Sequence, residues 1–430
     1  MSGIDITIIA VSLVLLFTFL ALGAPFYAAF IISAIPILFW VAGQGHLTIA
    51  DLGVNSIRGF TLIAIPLFIF LGNIMTACGA TERLFDLARS LIGWLPGGLA
   101  MAAIVACAMF GAMCGSAVGT ALAVGGIAVP ELVKNGYSRE TSAAICGCAG
   151  GVGMLIPPSI AFIILGQVLQ VNVGDLFTAG IVPGIICTAF LCIAAYFWIR
   201  PKVKRGEIRL DRAYSWAERR KAFVAAAPMI VLPLAIMGSL WGGICTPTEA
   251  AGVGCFVALL VAKFYFRKFG WEEAKASVTN TVRSAAAIFC IIVGSVMFGR
   301  VLAFMYIPQR LGALAGGMGL GLHAFKMTIF GVFGLLGMFF DSFVLWLIAL
   351  PPLVPSLALY PSIDLVRFGV VFQLIVMLGA VTPPSGIVLY SAAAGAGAGA
   401  MGTVRESPLF MVAIAAAAIL LIFVPGLILY

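Results

Sequence analysis

The stretch "GMLIPPSIAF" at residues 153–162 places two adjacent prolines, Pro157 and Pro158, inside an otherwise apolar segment. A proline has no backbone N–H, and its ring collides with the preceding helical turn. The residue before a proline is also pushed out of the helical conformation. The pair therefore predicts a break in a helix, which leaves the carbonyls of Gly153 and Met154 without their usual donors. In lipid each unpaired backbone group costs several kcal/mol, so a partner must satisfy them.

The composition of the chain places this segment in a membrane. Of its 430 residues, 63% are hydrophobic and 9% are charged, and the mean hydropathy is +1.18. A soluble domain is roughly half apolar and a quarter charged. We therefore predict an all-α polytopic membrane protein, in which the net charge of +8 reflects loop orientation and not nucleic-acid binding. The sequence contains no buried nucleophile–base pair or acid dyad, which argues against an intramembrane enzyme, and we expect no cofactor.

A second proline pair indicates that the chain contains a repeat. The segment "GAVTPPSGIV" at 379–388 matches the first one, and Gly153 and Gly379 are 226 residues apart. Further matches follow in the same order at spacings of 222 to 227 residues, and they predict one unit that occurs twice. We assign three parts on this basis: a first unit (1–199), a basic cytoplasmic linker (200–221) and a second unit (222–430).

Each unit is predicted to cross the membrane five times, because about 20 apolar residues are needed for one crossing. The fourth span of each unit is broken by prolines, at about 139–170 and 364–396. Before each broken helix, an apolar stretch with a polar centre predicts a re-entrant helical hairpin, at about 97–133 and 325–360. Since five is an odd number, the two units have opposite orientations and form inverted repeats.

The distribution of basic residues supports this topology under the positive-inside rule. With the linker in the cytoplasm, all but five of the 24 Lys and Arg residues fall on the cytoplasmic side. The exceptions are Arg58, Arg300, Arg310, Lys326 and Arg367. Both chain termini are then predicted to face the opposite side of the membrane.

Inverted repeats with paired broken helices are typical of secondary transporters, which bind substrate and coupling ions near the middle of the membrane. Helix N-termini attract anions there, and freed carbonyls coordinate cations. The hairpin tips are the natural partners of the two breaks, with Gly115 and Ser116 in the first tip and Asp341 and Ser342 in the second. Such oxygen donors suit Na⁺, which is the only metal that we expect.

Two charged residues in apolar segments are candidates for a functional role. Asp341 is a carboxylate inside an apolar hairpin, and an intramembrane carboxylate is a functional candidate by default. It either binds a cation or pairs with Arg300, the one base in the span at 284–304. Arg300 in turn either contacts a carboxylate substrate or extends to the outer interface of the membrane.

At these residues the chain resembles the large membrane subunit of a tripartite ATP-independent periplasmic (TRAP) transporter. The similar stretches are "IPLFIFLGNIM" (65–75), "GSAVGTALAVGGIAVPEL" (115–132), "GMLIPPSI" (153–160), "TPTEAAG" (246–252) and "VTPPSGIVLY" (381–390). The resemblance implies a bacterial inner-membrane protein that imports an organic acid anion such as a C4-dicarboxylate or sialic acid. In such a membrane, the topology predicted from the basic residues places both termini in the periplasm. The resemblance further implies coupling to a sodium gradient and an elevator motion. The implied partners are a periplasmic substrate-binding protein and a small four-helix membrane subunit.

The resemblance also implies where ions and substrate bind. Two sodium sites are expected, each between a hairpin tip and a broken helix. The first would use Gly115, Ser116, Gly153, Ile156 and Pro157, and the second would use Asp341, Ser342, Gly379, Thr382 and Pro383. The substrate would lie between the tips, near Ser116, Thr120, Ser159, Arg300, Ser342 and Ser385.

Two other readings of the same pattern stay open at this point. A stand-alone sodium–dicarboxylate symporter of similar elevator design would act without a binding protein. A passive channel would conduct without a sodium gradient. The paired breaks and polar hairpin tips argue against a purely structural subunit, because buried polar groups are costly in lipid.

Overall fold

The computed structural model describes residues 3–41, 43, 45–317, 319 and 321–430. Within these ranges every regular element is helical, which confirms the predicted all-α class. The α-helices up to the linker are α1 (Gly3–Ala21), α2 (Phe26–Pro36), α3 (His46–Ser56), α4 (Ala64–Ala77), α5 (Ala80–Ile92), α6 (Gly98–Cys114), α7 (Ala117–Lys134), α8 (Arg139–Gly150), α9 (Ile160–Leu169) and α10 (Val173–Lys204). Those after it are α11 (Trp216–Trp241), α12 (Pro247–Leu260), α13 (Trp271–Phe304), α14 (Ile307–Gly317), α15 (Leu322–Gly337), α16 (Ser342–Val344), α17 (Val354–Leu357), α18 (Leu365–Val381), α19 (Ile387–Ala396), α20 (Ala400–Glu406) and α21 (Pro408–Phe423).

The helices are interrupted at both proline pairs. After α8, a 3₁₀ segment at Gly151–Met154 leads into non-helical residues 155–159, which we name the first break. Residues 382–386, between α18 and α19, form the second break. The Pro157–Pro158 and Pro383–Pro384 peptide bonds are both cis. The missing proline N–H groups account for the loss of helical hydrogen bonds at both places.

A pair of helical arms precedes each broken helix, at the positions where hairpins are predicted. Hairpin 1 consists of α6 and α7, which pack against each other and are joined by the tip residues Gly115 and Ser116. Hairpin 2 covers 322–357, and its tip includes Asp341 and Ser342. Its second arm is less regular than expected: a π-helical turn at Leu345–Ala349 and a 3₁₀ turn at Pro351–Leu353 follow α16. Prolines in this arm remove helical N–H donors, which explains the short elements.

Length and apolar composition identify candidate membrane spans among the described residues. Six helices there are long and apolar enough to cross a membrane, and α19 with α20, bent by 119°, form a seventh if they count as one span. The hairpin arm α7 is one of the six, because length and composition do not distinguish a re-entrant arm from a span. These properties also do not define on which side a loop lies. The five crossings per unit, the inversion and the cytoplasmic linker therefore stay predictions.

Helix α5, which the search for apolar spans did not predict, anchors the linker to the end of hairpin 1. The Arg89 Nε–H donates to Asp211 Oδ2 at 2.5 Å, and Arg89 Nη1 lies 3.0 Å from Glu131 Oε2 of α7. The Arg209 backbone N–H donates to the Asn135 carbonyl at 3.0 Å. Burial raises the pKa of the Asp211 carboxyl, but the hydrogen bond and the charge of Arg89, with hydrogen bonds from Arg212 and Tyr214, together outweigh burial and hold this pKa below its ordinary value. The linker is thus a docked segment of the fold.

Replacing Arg89 with Met should release the linker, because Asp211 then stays partly buried without its charged donor. A hydrogen bond to a charged group contributes about 1.5–3 kcal/mol, so we expect tryptic cleavage at Arg209 and Arg212 to become at least about tenfold faster. The measurement is limited trypsin digestion of the detergent-solubilised protein. The exposed Arg220 provides the matched control, Arg220→Met, which should leave the rate unchanged. Equal cleavage rates in both variants would show that Arg89 does not anchor the linker.

Candidate functional site

Hairpin 1 contacts the first broken helix through two glycines. A Cβ atom on Gly111 of α6 would lie 2.4 Å from the Cα of Gly153, which lies in the 3₁₀ segment that leads into the first break. A Cβ atom on Gly153 would lie 2.6 Å from Thr120 Oγ1 and 3.2 Å from the Ser116 carbonyl oxygen. Only glycine fits at such distances, so the backbones of the hairpin and the broken helix touch. The predicted residues Ser116, Thr120 and Gly153 are therefore neighbours.

The same contact occurs between hairpin 2 and the second broken helix. A Cβ atom on Gly379 would lie 2.6 Å from the Cα of Gly337. Gly111 and Gly337 are 226 residues apart, the spacing that also separates Gly153 from Gly379. In addition, the Ser385 N–H donates to the Met338 carbonyl at 2.8 Å. Each hairpin is thus held against its own break by a glycine pair at equivalent positions.

The two breaks satisfy their freed carbonyls in different ways. In the first break the fully buried Ser159 donates its hydroxyl to the Met154 carbonyl at 2.6 Å, so this carbonyl is paired within the break itself. In the second break Thr382 Oγ1 donates to the Leu378 carbonyl at 2.6 Å. The buried Ser385 hydroxyl has no hydrogen-bond partner among the described residues. The second break therefore contains one buried hydroxyl that no described residue pairs.

Both hairpin tips line one cavity of about 630 Å³. This volume lies in the range of small-molecule sites. Gly115 and Ser116 contribute from the first tip, and Asp341 and Ser342 from the second. The remaining walls come from α4, α13 and the helices that follow the two breaks. The structure thus brings four of the predicted site residues to the same cavity, although they come from the two halves of the chain.

Three helices begin at this cavity with their positive ends. The first turns of α7, α9 and α19 all supply lining residues, and these helices contain 18, 10 and 10 residues. Partial positive charge at a helix N-terminus stabilises anions. Among the described residues that line the cavity, Asp341 is the one charged side chain, and there is no Lys, Arg or His. The site can therefore attract an anion through helix ends but does not neutralise it with a basic side chain.

Asp341 has no basic partner within ion-pair distance in the part of the chain that the structure describes. Its Oδ1 accepts the backbone N–H of Phe343 at 2.9 Å and so caps the short helix α16. The pairing with Arg300 is not formed, because Arg300 is exposed and its guanidinium lies 5.2 Å from the centre of the Phe304 ring. Asp341 is partly buried at the edge of the cavity, which suits a carboxylate that binds a cation.

The other predicted site residues do not line the cavity. Thr120 is buried, with its Oγ1 3.0 Å from Cys114 Sγ, and Ile156 packs against Gly184 of α10. Their roles in ion or substrate binding stay predictions. The residues outside the lining are Thr120, Gly153, Ile156, Pro157, Ser159, Arg300, Gly379, Thr382, Pro383 and Ser385.

The cavity also contains polar residues that the sequence reasoning did not select. Asn73 and Thr76 of α4 and Ser284 of α13 also line the cavity. A signal for Asn73 was present, since it is a polar amide inside the apolar stretch "IPLFIFLGNIM". Ser284 carries no comparable signal, because it follows several charged and polar residues at the start of α13. Its position at the cavity follows from the packing of α13 against α4.

An all-helical membrane protein in which two broken helices and two hairpins surround one cavity has the architecture of a secondary transporter. The sequence model of the family "Tripartite ATP-independent periplasmic transporter, DctM component" matches residues 13–427. The chain belongs to this family, whose members are the large permease proteins of TRAP transporters. The predicted resemblance is thereby confirmed, and the chain is a multi-pass transporter subunit and not an enzyme.

Individual relatives match over most of the chain. The C4-dicarboxylate TRAP transporter large permease protein of Vibrio cholerae is 31% identical over 403 residues, which cover 89% of this chain and 88% of that protein. The isethionate TRAP transporter permease protein of Oleidesulfovibrio alaskensis is 31% identical over 85% of this chain but 59% of its own length. Among solved structures, the YdaH transporter of Alcanivorax borkumensis shares the fold, with a TM-score of 0.61 over 87% of both chains at 14% identity.

Replacing Gly111 with Ala should force hairpin 1 away from the first break, because the new Cβ would meet the Gly153 backbone. Overpacking of this kind costs about 1–3 kcal/mol, so we expect the thermal unfolding temperature to fall by several degrees. The matched control is Gly126→Ala in the other arm, where a Cβ meets nothing within 4 Å. Since Ala favours a helix over Gly by about 1 kcal/mol, that variant should unfold at the same temperature or higher. Thermal unfolding in detergent distinguishes the two variants. An unfolding temperature of Gly111→Ala equal to that of the wild type would contradict the tight contact.

Proposed function

We propose that this chain is the permease of a sodium-coupled importer of organic acid anions, such as a C4-dicarboxylate or sialic acid, in the bacterial inner membrane. A periplasmic binding protein delivers the anion, and a separate small membrane subunit completes the complex. The observation that carries the proposal is the cavity between the two hairpin tips, with three helix N-termini and a single carboxylate in its lining. The C4-dicarboxylate and isethionate relatives are named as transporters of organic anions, which supports the same substrate class.

The charge of the cavity supports coupling to a cation. An organic acid anion that enters beside Asp341 meets a like charge in a region of low dielectric constant, where repulsion is strong. The three helix N-termini, each equivalent to about half an elementary charge, balance only part of the combined negative charge of Asp341 and a dicarboxylate. Cations bound at the tips remove the repulsion, so anion and cation bind together. Hydroxyl, carbonyl and carboxylate oxygens suit Na⁺.

The sodium ions are placed between each tip and its break, as the family resemblance implies. Ser116 lies within van der Waals reach of Gly153 at the first site. At the second site Asp341 and Ser342 lie in the hairpin that the Gly337–Gly379 contact holds against the second break. Because each hairpin is packed on its break, a bound ion links the two elements. This favours movement of hairpins and broken helices as one body, as in an elevator mechanism.

The relatives support a separate small subunit. This chain spans 59% of the isethionate relative's length, so that protein contains a further part which this chain does not match. The C4-dicarboxylate relative, in contrast, matches over 88% of its length and is named a large permease protein. A large permease implies a smaller companion, and we propose that this chain has one.

Reconstitution in liposomes tests the proposed function. This chain, its small subunit and its binding protein are incorporated, and uptake of labelled C4-dicarboxylates, sialic acid and isethionate is measured with a Na⁺ or K⁺ gradient. We expect uptake only with Na⁺ and with the binding protein present. Uptake of free substrate by this chain alone would favour a stand-alone symporter, and flux independent of Na⁺ would favour a channel.

Asp341→Asn should weaken sodium activation, because the amide keeps the shape of the side chain but loses its charge. We expect the Na⁺ concentration for half-maximal uptake to rise at least about tenfold, the size of a lost interaction with a charged group. Asp51→Asn is the matched control, since Asp51 is exposed on α3 and lies outside the cavity. The same Na⁺ dependence in both variants would remove Asp341 from the ion site.

A further inference from the structure

Helix α4 approaches the tip of hairpin 1 closely enough to form part of the substrate cavity. A Cβ atom on Gly72 would lie 2.6 Å from the Cβ and 3.0 Å from the Cα of Cys114, the last residue before the tip. Glycine at this position lets the two helices touch. The next residue, Asn73, is half-buried and lines the cavity. The stretch "IPLFIFLGNIM", which the ion sites do not involve, therefore brings a carboxamide to the cavity beside the hairpin tip.

The carboxamide of Asn73 is oriented by a neighbouring helix. Asn73 Nδ2 donates to Thr281 Oγ1 of α13 at 2.9 Å, and Thr281 Oγ1 donates to the Ser277 carbonyl at 2.7 Å. This leaves one Nδ2–H and the Oδ1 of Asn73 without a hydrogen-bond partner among the described residues. A half-buried amide with one hydrogen bond already made has little freedom to rotate. Asn73 therefore presents an oriented donor and acceptor in the cavity whose lining also includes Asp341 and Ser342.

The hairpin tips and α4 contribute lining groups of different chemistry. On the hairpin side, helix N-termini and the cations that we propose at the tips respond to charge, which all organic acid anions share. A side-chain amide is directional, and it distinguishes anions by where their oxygens lie. Sites that hydrogen-bond a substrate group reject analogues without that group, because the site's own polar atoms are then left unpaired. Among the described lining residues of α4, Asn73 is the one with both a donor and an acceptor held by a second helix.

We propose that Asn73 donates a hydrogen bond to an oxygen of the transported organic anion and helps to determine which anion is accepted, with Thr281 as its positioning residue. The inference rests on the proposed function, since it assumes that an organic anion occupies the cavity. The charged end of the anion then lies at the hairpin tips, and the remaining polar group of the anion faces α4.

Kinetics of reconstituted uptake test this inference. Asn73→Ala should raise the KM for the transported anion at least about tenfold, because a hydrogen bond to a charged or strongly polar oxygen is lost. The maximal rate and the Na⁺ concentration for half-maximal uptake should stay within about twofold of wild type, as expected when a ground-state contact is removed. Asn73→Asp should raise the KM further, because the new carboxylate repels the anion. Competition by organic acids that differ in one oxygen should lose its selectivity in Asn73→Ala.

Two further variants separate substrate binding from a structural role. Asn280→Ala, at an exposed asparagine on the same helix as Thr281 and outside the cavity lining, should behave as wild type. Thr281→Val keeps the shape of the side chain but removes the hydroxyl, and it should raise the KM by a smaller factor than Asn73→Ala. If Asn73→Ala and Thr281→Val lower thermal stability while the KM and the selectivity stay at wild-type values, Asn73 is only a structural tie and the inference is wrong. A wild-type complex that takes up no organic acid would instead overturn the proposed function itself.

Discussion

The close contact between glycines in the hairpins and glycines in the broken helices is the constraint on which the rest of this structure depends. Lipid offers no hydrogen bonds, so a helix can break within a membrane only where protein covers the exposed backbone. A side chain at Gly111 or Gly379 would hold the covering hairpin away. Because these residues are glycines, each tip lies directly beside its break. The polar atoms that the prolines release and the polar atoms of the tips are therefore close together.

This arrangement produces a cavity that is suited to binding opposite charges together. Breaking a helix creates a new N-terminus, and α9 and α19 both begin at the cavity for this reason. The hairpin tip adds the N-terminus of α7. Asp341 introduces the only negative charge among the lining residues that the structure describes. An anion and a cation stabilise each other in such a place, whereas either ion alone would pay a large desolvation cost.

Sequence reasoning was most successful where it rested on the local chemistry of the backbone. The proline pairs predicted both breaks, and the polar tips predicted the residues that share the cavity, Ser116 and Asp341. Sequence reasoning gave less information where one residue had several possible partners. The role of Ser159 in substrate binding stays a prediction, and the pairing of its hydroxyl with the Met154 carbonyl is a contact that a sequence does not show. Helix α5 was not predicted, because its charged residues exclude it from a search for apolar spans.

Composition and local motifs were enough to predict that the chain is a helical membrane protein, where its helices break and which family it resembles. These properties follow from composition and from the missing N–H of proline, which act locally. Which distant polar groups meet became visible only in the packed arrangement of the helices. Asn73, Ser116 and Asp341 line one cavity although they come from α4 and from two different hairpins. Their proximity depends on how closely the helices pack. Small residues such as Gly72 set that distance, but a sequence does not show which helix each small residue contacts.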